Sequence, residues 1–269
     1  KLLEAYNEQT IESMRTRCDE IHRHGAKIYG QILHLGRETA GQGDFGQAAV
    51  APSAIRSPRD IYAPEALDHE TIRDIVKGFG VSAKNMIAGG YDGIEIHGAH
   101  GYLVAQFLSP HTNVRSDQYG GSEEKRFRFL REVIDSIRSS IGDDIPLVLR
   151  LSADWEVDYG LGVEENIRIA EAVAALGSVD ALDLTTGIRG AYVKDMTEPP
   201  ATTANASKRI RLASGLPVIC GQRITDPATA ERLLTDGSAD LIGMARALMA
   251  DSDWTNKVAS GEADRKSVV

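Results

Sequence analysis

Ten consecutive residues, Ile94-Glu95-Ile96-His97-Gly98-Ala99-His100-Gly101-Tyr102-Leu103, carry two imidazoles and a phenol just where a short apolar run gives way to glycine. Neutral imidazoles can hold one small polar atom through their ring N–H groups, and a phenol beside them can deliver a proton. The set suits a carbonyl oxygen or a small anion with an acid at hand. The bland alternative is that the histidines cap loop carbonyls and the tyrosine packs. A metal is a third option in principle, but no further ligand stands nearby. Glu95 lies within the strand, where it suits the outer face or a structural ion pair.

Other chemistry-bearing residues recur where apolar runs end. Gln31 and His34 close Gln31-Ile32-Leu33-His34-Leu35-Gly36-Arg37. A glutamine there can meet an amide-like ring edge, or satisfy loop backbone. Arg150 lies inside Leu147-Val148-Leu149-Arg150-Leu151-Ser152, where burial demands an anion, either a ligand or an internal carboxylate. Two late runs end in Gly221-Gln222-Arg223 and Gly243-Met244-Ala245-Arg246. Small residues let backbone N–H groups approach an anion and arginine clamps it, so the pair reads as a phosphate site. The loop from Asn113 to Gly121, with Arg115 and Asp117, reads equally as a site mouth or as an ion-paired staple.

These residues need a frame that brings strand ends together. Apolar periodicity predicts helices at 2–24, 68–88, 122–140, 163–176, 203–213, 226–237 and 251–260, and strands at 26–33, 91–97, 147–152, 181–185, 217–221 and 240–244. A long polar loop is expected over 34–66 and another over 109–121. Strand–helix alternation implies a parallel sheet, and long loops after strands with no Gly-x-Gly-x-x-Gly favour a barrel over an open dinucleotide-binding sheet. A (β/α)8 TIM barrel needs eight strands and six are visible. The expectation is one α/β domain over 1–269 lacking the first two strands of its barrel, and therefore with two unpaired edges.

The bulk numbers fit. The chain has 269 residues, 42% hydrophobic and 26% charged, with a net charge of −9 that argues against nucleic acid or an anionic membrane as partner. No apolar run approaches membrane-spanning length. Cys18 and Cys220 are the only cysteines, so there is no disulfide framework and no zinc or iron–sulfur spacing, and a reducing cytoplasm is expected.

Together the segments Gln31–Arg37, His97–Leu103, Gln106-Phe107-Leu108-Ser109-Pro110, Asn113–Asp117 and Tyr119–Ser122 resemble the Old Yellow Enzyme family of NAD(P)H:flavin oxidoreductases over nearly the whole chain. The Ala245-Arg246 pair and the histidine loop look most like the 2,4-dienoyl-CoA reductase and trimethylamine dehydrogenase branch. The resemblance implies FMN as cofactor and NAD(P)H as co-substrate. It implies that Gln31 binds the flavin pyrimidine edge and that Arg150 sits by N1 and O2. Arg223, Ala245 and Arg246 would hold the phosphate, His97 and His100 would polarise a substrate carbonyl, and Tyr102 would protonate the carbon next to it. Two positions depart from the family pattern: Lys125 stands for the usual Asn, and Gln222 takes a place often held by Gly. The cysteine cluster of the iron–sulfur branch would fall beyond Val269, so a 4Fe-4S centre is expected only there.

The leading expectation is thus an FMN-dependent ene-reductase acting on a small α,β-unsaturated carbonyl compound, with no nucleic-acid or membrane partner and with homo-oligomer formation left open. The rivals are a flavin amine dehydrogenase, a truncated barrel fragment without catalysis, and a flavin-free phosphosugar barrel enzyme.

Overall fold

A computed structural model describes residues 3–39, 49–194 and 197–262. Its strands are β1 (Tyr29–Ile32), β2 (Val50–Ala51), β3 (Glu65–Ala66), β4 (Gly93–Gly98), β5 (Leu147–Asp154), β6 (Ala181–Thr186), β7 (Val218–Cys220) and β8 (Leu241–Ile242). The helices are α1 (Ile11–Arg23), α2 (His69–Ala88), α3 (Leu103–Leu108), α4 (Glu123–Ile141), α5 (Val163–Leu176), α6 (Ala204–Ser214), α7 (Pro227–Thr235), α8 (Arg246–Ala250) and α9 (Trp254–Ser260). Six strands form one all-parallel sheet in the order β1-β4-β5-β6-β7-β8, the arc of a (β/α)8 barrel.

Period-two alternation gives this sheet its two faces. Ile94, Ile96, Leu147, Leu149, Leu151, Leu182 and Leu184 are fully or almost fully buried in one core with Phe129, Val133 and Ile137 of α4. The intervening residues, Gln31, Glu95, His97, Arg150, Ser152, Asp183 and Thr185, turn to the concave side. The register sets His97 beside Arg150 and Arg150 beside Asp183 on adjacent strands. At the outer strands that face lies open: Tyr29 is 43% and Leu241 53% exposed.

Local chemistry starts each helix where the sequence predicts. Asp68 caps α2 by accepting from Thr71 N at 2.8 Å, and Asp226 caps α7 in the same way from Thr229 N, with Pro227 in its first turn. The first helix is shorter than expected, because Asn7 accepts from Gln9 N and opens a 3-10 turn over Glu8–Thr10; residue 2 lies outside the described residues. The first strand covers Tyr29–Ile32 rather than 26–33.

The 34–66 stretch is not all loop: it contains a 3-10 turn at Gly36–Thr39 and the two-residue parallel pair β2–β3, with 40–48 outside the described residues. The short helices α3 and α8 were not expected. All six residues of α3 are buried, so it shows no amphipathic period to read. No helix among the described residues is long and apolar enough to cross a membrane.

Candidate active site

The loop after β1 and the loop after β4 are locked together by one side chain. Gln106, fully buried on α3, donates from Nε2 to Gly101 O at 2.7 Å and to Leu35 O at 3.2 Å, and its Oε1 accepts from Arg37 N at 3.2 Å. Gly36 passes so close, at φ 61°, that a Cβ would stand 2.3 Å from Gln106 Oε1. Glycine is required there on both counts.

The 109–121 loop proves to be a staple. Asn113 Nδ2 donates to Phe107 O and Tyr119 O at 2.7 Å each. Arg115 binds the Asp117 carboxylate and donates to Pro52 O and Leu67 O, and Asp117 also meets His69 Nε2 at 2.8 Å. With its donors spent on protein partners, the Arg115–Asp117 pair fixes the loop that carries it.

Held by these loops, His97, His100 and Tyr102 cluster at the end of β4. The ring centroids of His97 and His100 lie 5.0 Å apart, and Tyr102 is 5.1 Å from His97. His100 Nδ1 faces His97 Nε2 at 3.3 Å, and His100 Nε2 faces Thr185 Oγ1 at 3.2 Å. The two rings therefore bond to each other rather than flank a common point. His97 Nδ1 is buried with no hydrogen-bond partner among the described residues. Burial, reinforced by the His100 ring and by Arg150, lowers His97 to about 2. Burial and Arg150 lower His100 to about 3. Both imidazoles are thus neutral and can each donate one N–H. Burial raises the Tyr102 phenol, which keeps it protonated.

His100 sits at φ 59°, and Gln222 and Arg223 at φ 74° and 52°, in the left-handed region that side chains usually avoid. Gln222 is the position where the motif pattern favours Gly, and its backbone angle gives the reason. Its side chain supplies compensation: Nε2 lies 3.1 Å from Thr185 Oγ1, 3.1 Å from Thr186 O and 3.2 Å from Tyr192 O.

A cavity of about 310 Å³ opens beside this cluster. It gathers His100, Arg150, Arg223, Ala245 and Arg246 into one lining, with Tyr192 and Gln222. That size is in the range of small-molecule sites. Three guanidinium groups face it, and the cavity lining contains no acidic residue. Arg150 is both things the sequence left open: it lines the cavity and pairs with Asp183 at 3.0 Å. Its Nε is buried without a hydrogen-bond partner among the described residues. Arg246 donates to Lys194 O at 2.9 Å. A lining of three arginines, one with an orphaned N–H, and no carboxylate fits an anionic ligand such as a phosphate.

Residues 2–265 match the family model described as the NADH:flavin oxidoreductase / NADH oxidase family. The chain belongs to that family. Among its relatives, a metal reductase from Desulforamulus reducens is 37% identical over 263 residues, spanning 96% of this chain and 39% of that protein. The NADPH dehydrogenase of Bacillus subtilis is 35% identical over 246 residues, covering 91% of this chain and 70% of that one. A 2-naphthoyl-CoA reductase solved with 2-naphthoyl-CoA superposes with a TM-score of 0.89 at 30% identity, over 96% of this chain and 41% of its own. The chain therefore spans about two fifths of the first of these relatives. The resemblance carried by the Gln31, His97 and Tyr119 segments holds at family level.

Gln31 does not reach the arginine cavity. It lines a second cavity of about 550 Å³ with Tyr29 and His34, and donates to Glu95. His97 and Tyr102 are not in the lining of the arginine cavity, with ring centroids 5.0 and 6.3 Å from that of His100. Gln106, Thr185, Tyr192, Gln222 and Asp183 were missed as site residues by the sequence reading. Strand parity could have found Asp183 and Thr185, which share the inward face with Arg150. Nothing local marks Tyr192, and Gln106 stands in a segment of the family resemblance with no role assigned to it.

Proposed function

We propose that this chain is the flavin-binding domain of an FMN-dependent oxidoreductase that uses NAD(P)H to reduce the C=C bond of an α,β-unsaturated carbonyl compound. The observation that carries the reading is the cavity where Arg150, Arg223 and Arg246 converge beside His100. When bound, FMN supplies hydride transfer from NAD(P)H to the β carbon of the substrate.

The rest falls to the protein. Arg223, Arg246 and the backbone at Ala245 would hold the phosphate, and Arg150 would stabilise negative charge on the ring edge. Gln31 would bind the pyrimidine edge from the outer strand. His97 and His100 would present N–H groups to the carbonyl oxygen. Their neutrality matters, because a neutral imidazole donates at neutral pH without a desolvated positive charge. For both to serve one oxygen, the His97–His100 bond must open. Tyr102 would then give its phenolic proton to the α carbon, and its raised pKa keeps that proton in place until it is needed.

The test starts with an absorbance spectrum of the purified protein loaded with FMN, followed by anaerobic reduction with NADPH and mixing with cyclohexenone. Reoxidation by the enone supports the reading. A reduced flavin that enones never reoxidise sinks it, and bleaching by an amine without NAD(P)H would establish the amine dehydrogenase instead. Tyr102→Phe should leave reduction by NADPH intact while slowing enone turnover about 100-fold or more.

A further inference from the structure

We infer that Thr185, oriented by Gln222, is a positioning residue that holds His100 as its Nδ1–H tautomer and leaves His97 as the imidazole whose tautomer the protein does not fix. What this does for catalysis rests on the carbonyl reading above; the tautomer itself does not.

Gln222 Nε2 lies 3.1 Å from Thr186 O and 3.2 Å from Tyr192 O. Backbone carbonyls only accept, so the atom that faces them is the amide nitrogen, and the amide has one orientation. The same nitrogen lies 3.1 Å from Thr185 Oγ1. An amide nitrogen has no lone pair to offer, so the Thr185 hydroxyl cannot give its hydrogen in that direction. Thr185 is only 2% exposed, and a buried hydroxyl places its hydrogen on an acceptor. Among the described residues, the remaining hydrogen-bond partner of that oxygen is His100 Nε2, at 3.2 Å. The hydroxyl therefore donates to Nε2, and the proton of the neutral His100 ring sits on Nδ1.

His100 Nδ1 faces His97 Nε2 at 3.3 Å, so His100 donates and His97 accepts. A neutral His97 then carries its own proton on Nδ1, the nitrogen buried without a hydrogen-bond partner among the described residues. The opposite direction satisfies fewer groups. If His97 Nε2–H donated to His100, and His100 Nε2–H to Thr185, the hydroxyl hydrogen would lose its acceptor while His97 Nδ1 stayed orphaned. The His100 ring is also packed against Tyr192, with centroids 4.5 Å apart. Its backbone N–H donates to Ser152 Oγ at 3.0 Å, and its carbonyl accepts from Arg189 N at 3.0 Å.

His100 thus offers an N–H between the two rings before any ligand arrives, and His97 offers a lone pair there. For both to donate to one carbonyl oxygen, His97 must lose the proton on Nδ1 and gain one on Nε2, with no change in the charge of the ring. The orphaned Nδ1 has no hydrogen bond to lose in that exchange. The same change at His100 would break its bond with Thr185. Thr185 and Gln222 act through the imidazole, and so the lock assigns the adaptable role to His97.

The test is the tautomer of each ring in the FMN-loaded protein, labelled with isotopic histidine and read at neutral pH from two-bond nitrogen–proton NMR correlations. The chain has 7 histidines, so His97→Gln and His100→Gln assign the two signals. The wild type should show His100 protonated at Nδ1. Thr185→Val keeps the shape, removes the hydroxyl and should shift His100 toward the Nε2–H form. Thr185→Ser should restore the wild-type pattern. Gln222→Glu gives the hydroxyl a competing acceptor and should move His100 the same way as Thr185→Val. Circular dichroism and FMN affinity check that each variant is folded. Loss of one such hydrogen bond should lower kcat/KM for cyclohexenone about fivefold in Thr185→Val, with recovery in Thr185→Ser. A wild-type His100 protonated at Nε2, or a pattern that Thr185→Val leaves unmoved, overturns the inference, and a pattern unmoved by Gln222→Glu overturns the part played by Gln222. Cyclohexenone added to the oxidised protein should move His97 to the Nε2–H form and leave His100 unchanged. Enone binding that moves neither ring refutes the carbonyl reading, and a chain that binds no FMN refutes the flavin reading; in both cases the spectra without enone still decide the Thr185 lock.

Discussion

Gln222 sets two physical effects of known sign against each other, and substitution separates them. Its φ of 74° is unfavourable for any residue with a Cβ, by about 1–2 kcal/mol. Its side-chain amide faces three acceptors, on Thr185, Thr186 and Tyr192, at 3.1–3.2 Å, and with two N–H groups it can make two good bonds among them. Each contributes about 1 kcal/mol, because water entering from the adjoining cavity can replace part of what is lost. Gln222→Ala keeps the strain and loses both bonds, so it should destabilise by about 2 kcal/mol. Gln222→Gly loses the same bonds and relieves the strain, less the extra freedom glycine gives the unfolded chain, for a net loss of about 1 kcal/mol. Urea unfolding monitored by tryptophan fluorescence gives both values, provided the m-value is constant. The order wild type, Gly, Ala is the prediction. A Gly variant more stable than wild type would show that the amide contributes nothing. Equal stability of the Gly and Ala variants would show that residue 222 is not left-handed.

Gly36→Ala meets a clash and a positive φ together, so a loss of about 3 kcal/mol is expected, read as a lowered thermal midpoint. His97 and His100 titrate near 6.5 when unfolded but at about 2 and about 3 when folded. Below about pH 6.5 the unfolded chain binds protons that the folded chain refuses, so stability should fall with acid by up to about 1.4 kcal/mol per pH unit for each ring. Replacing His97 by Asn should remove its share of that slope in pH-dependent urea titrations. Arg246→Ala should weaken FMN binding about tenfold or more while leaving riboflavin binding unchanged, because only FMN carries the phosphate. Calorimetric titration with both ligands checks it, and equal losses would move the phosphate elsewhere.

Much of the architecture is legible along the chain because its signals are local. Alternation of β-branched runs with amphipathic segments, and caps such as Asp68 and Asp226, depend on neighbours within a few residues. The same holds for the arginine exits after β7 and β8, whose residue types are read at the strand ends and which line one cavity. Other features leave no such trace. The buried helix α3 has no polar face, so its sequence has no helical period. The β2–β3 pair depends on backbone partners far apart in the chain. The role of the Asn113–Asp117 segment turned on whether its charges met each other or faced the cavity, a question of distance alone.

The histidine loop divides along the same line. Two imidazoles and a phenol at a strand exit are properties of composition and short spacing, and so is the kind of chemistry they can perform. Which ring nitrogen of His100 is bonded depends on Thr185, 85 positions away in sequence, and the loop is held by Ser152, 52 positions away, whose Oγ accepts from the His100 backbone N–H. The separation of Gln31 from the arginine cavity, and the pairing of Asp183 with Arg150, depend likewise on strand register. The sequence by itself determined the six strands of the main sheet and which groups each strand end carries, because those follow from short-range periodicity. Only the tertiary structure decided which of those groups touch, because the parallel register brings residues from distant parts of the chain within hydrogen-bond distance of one another.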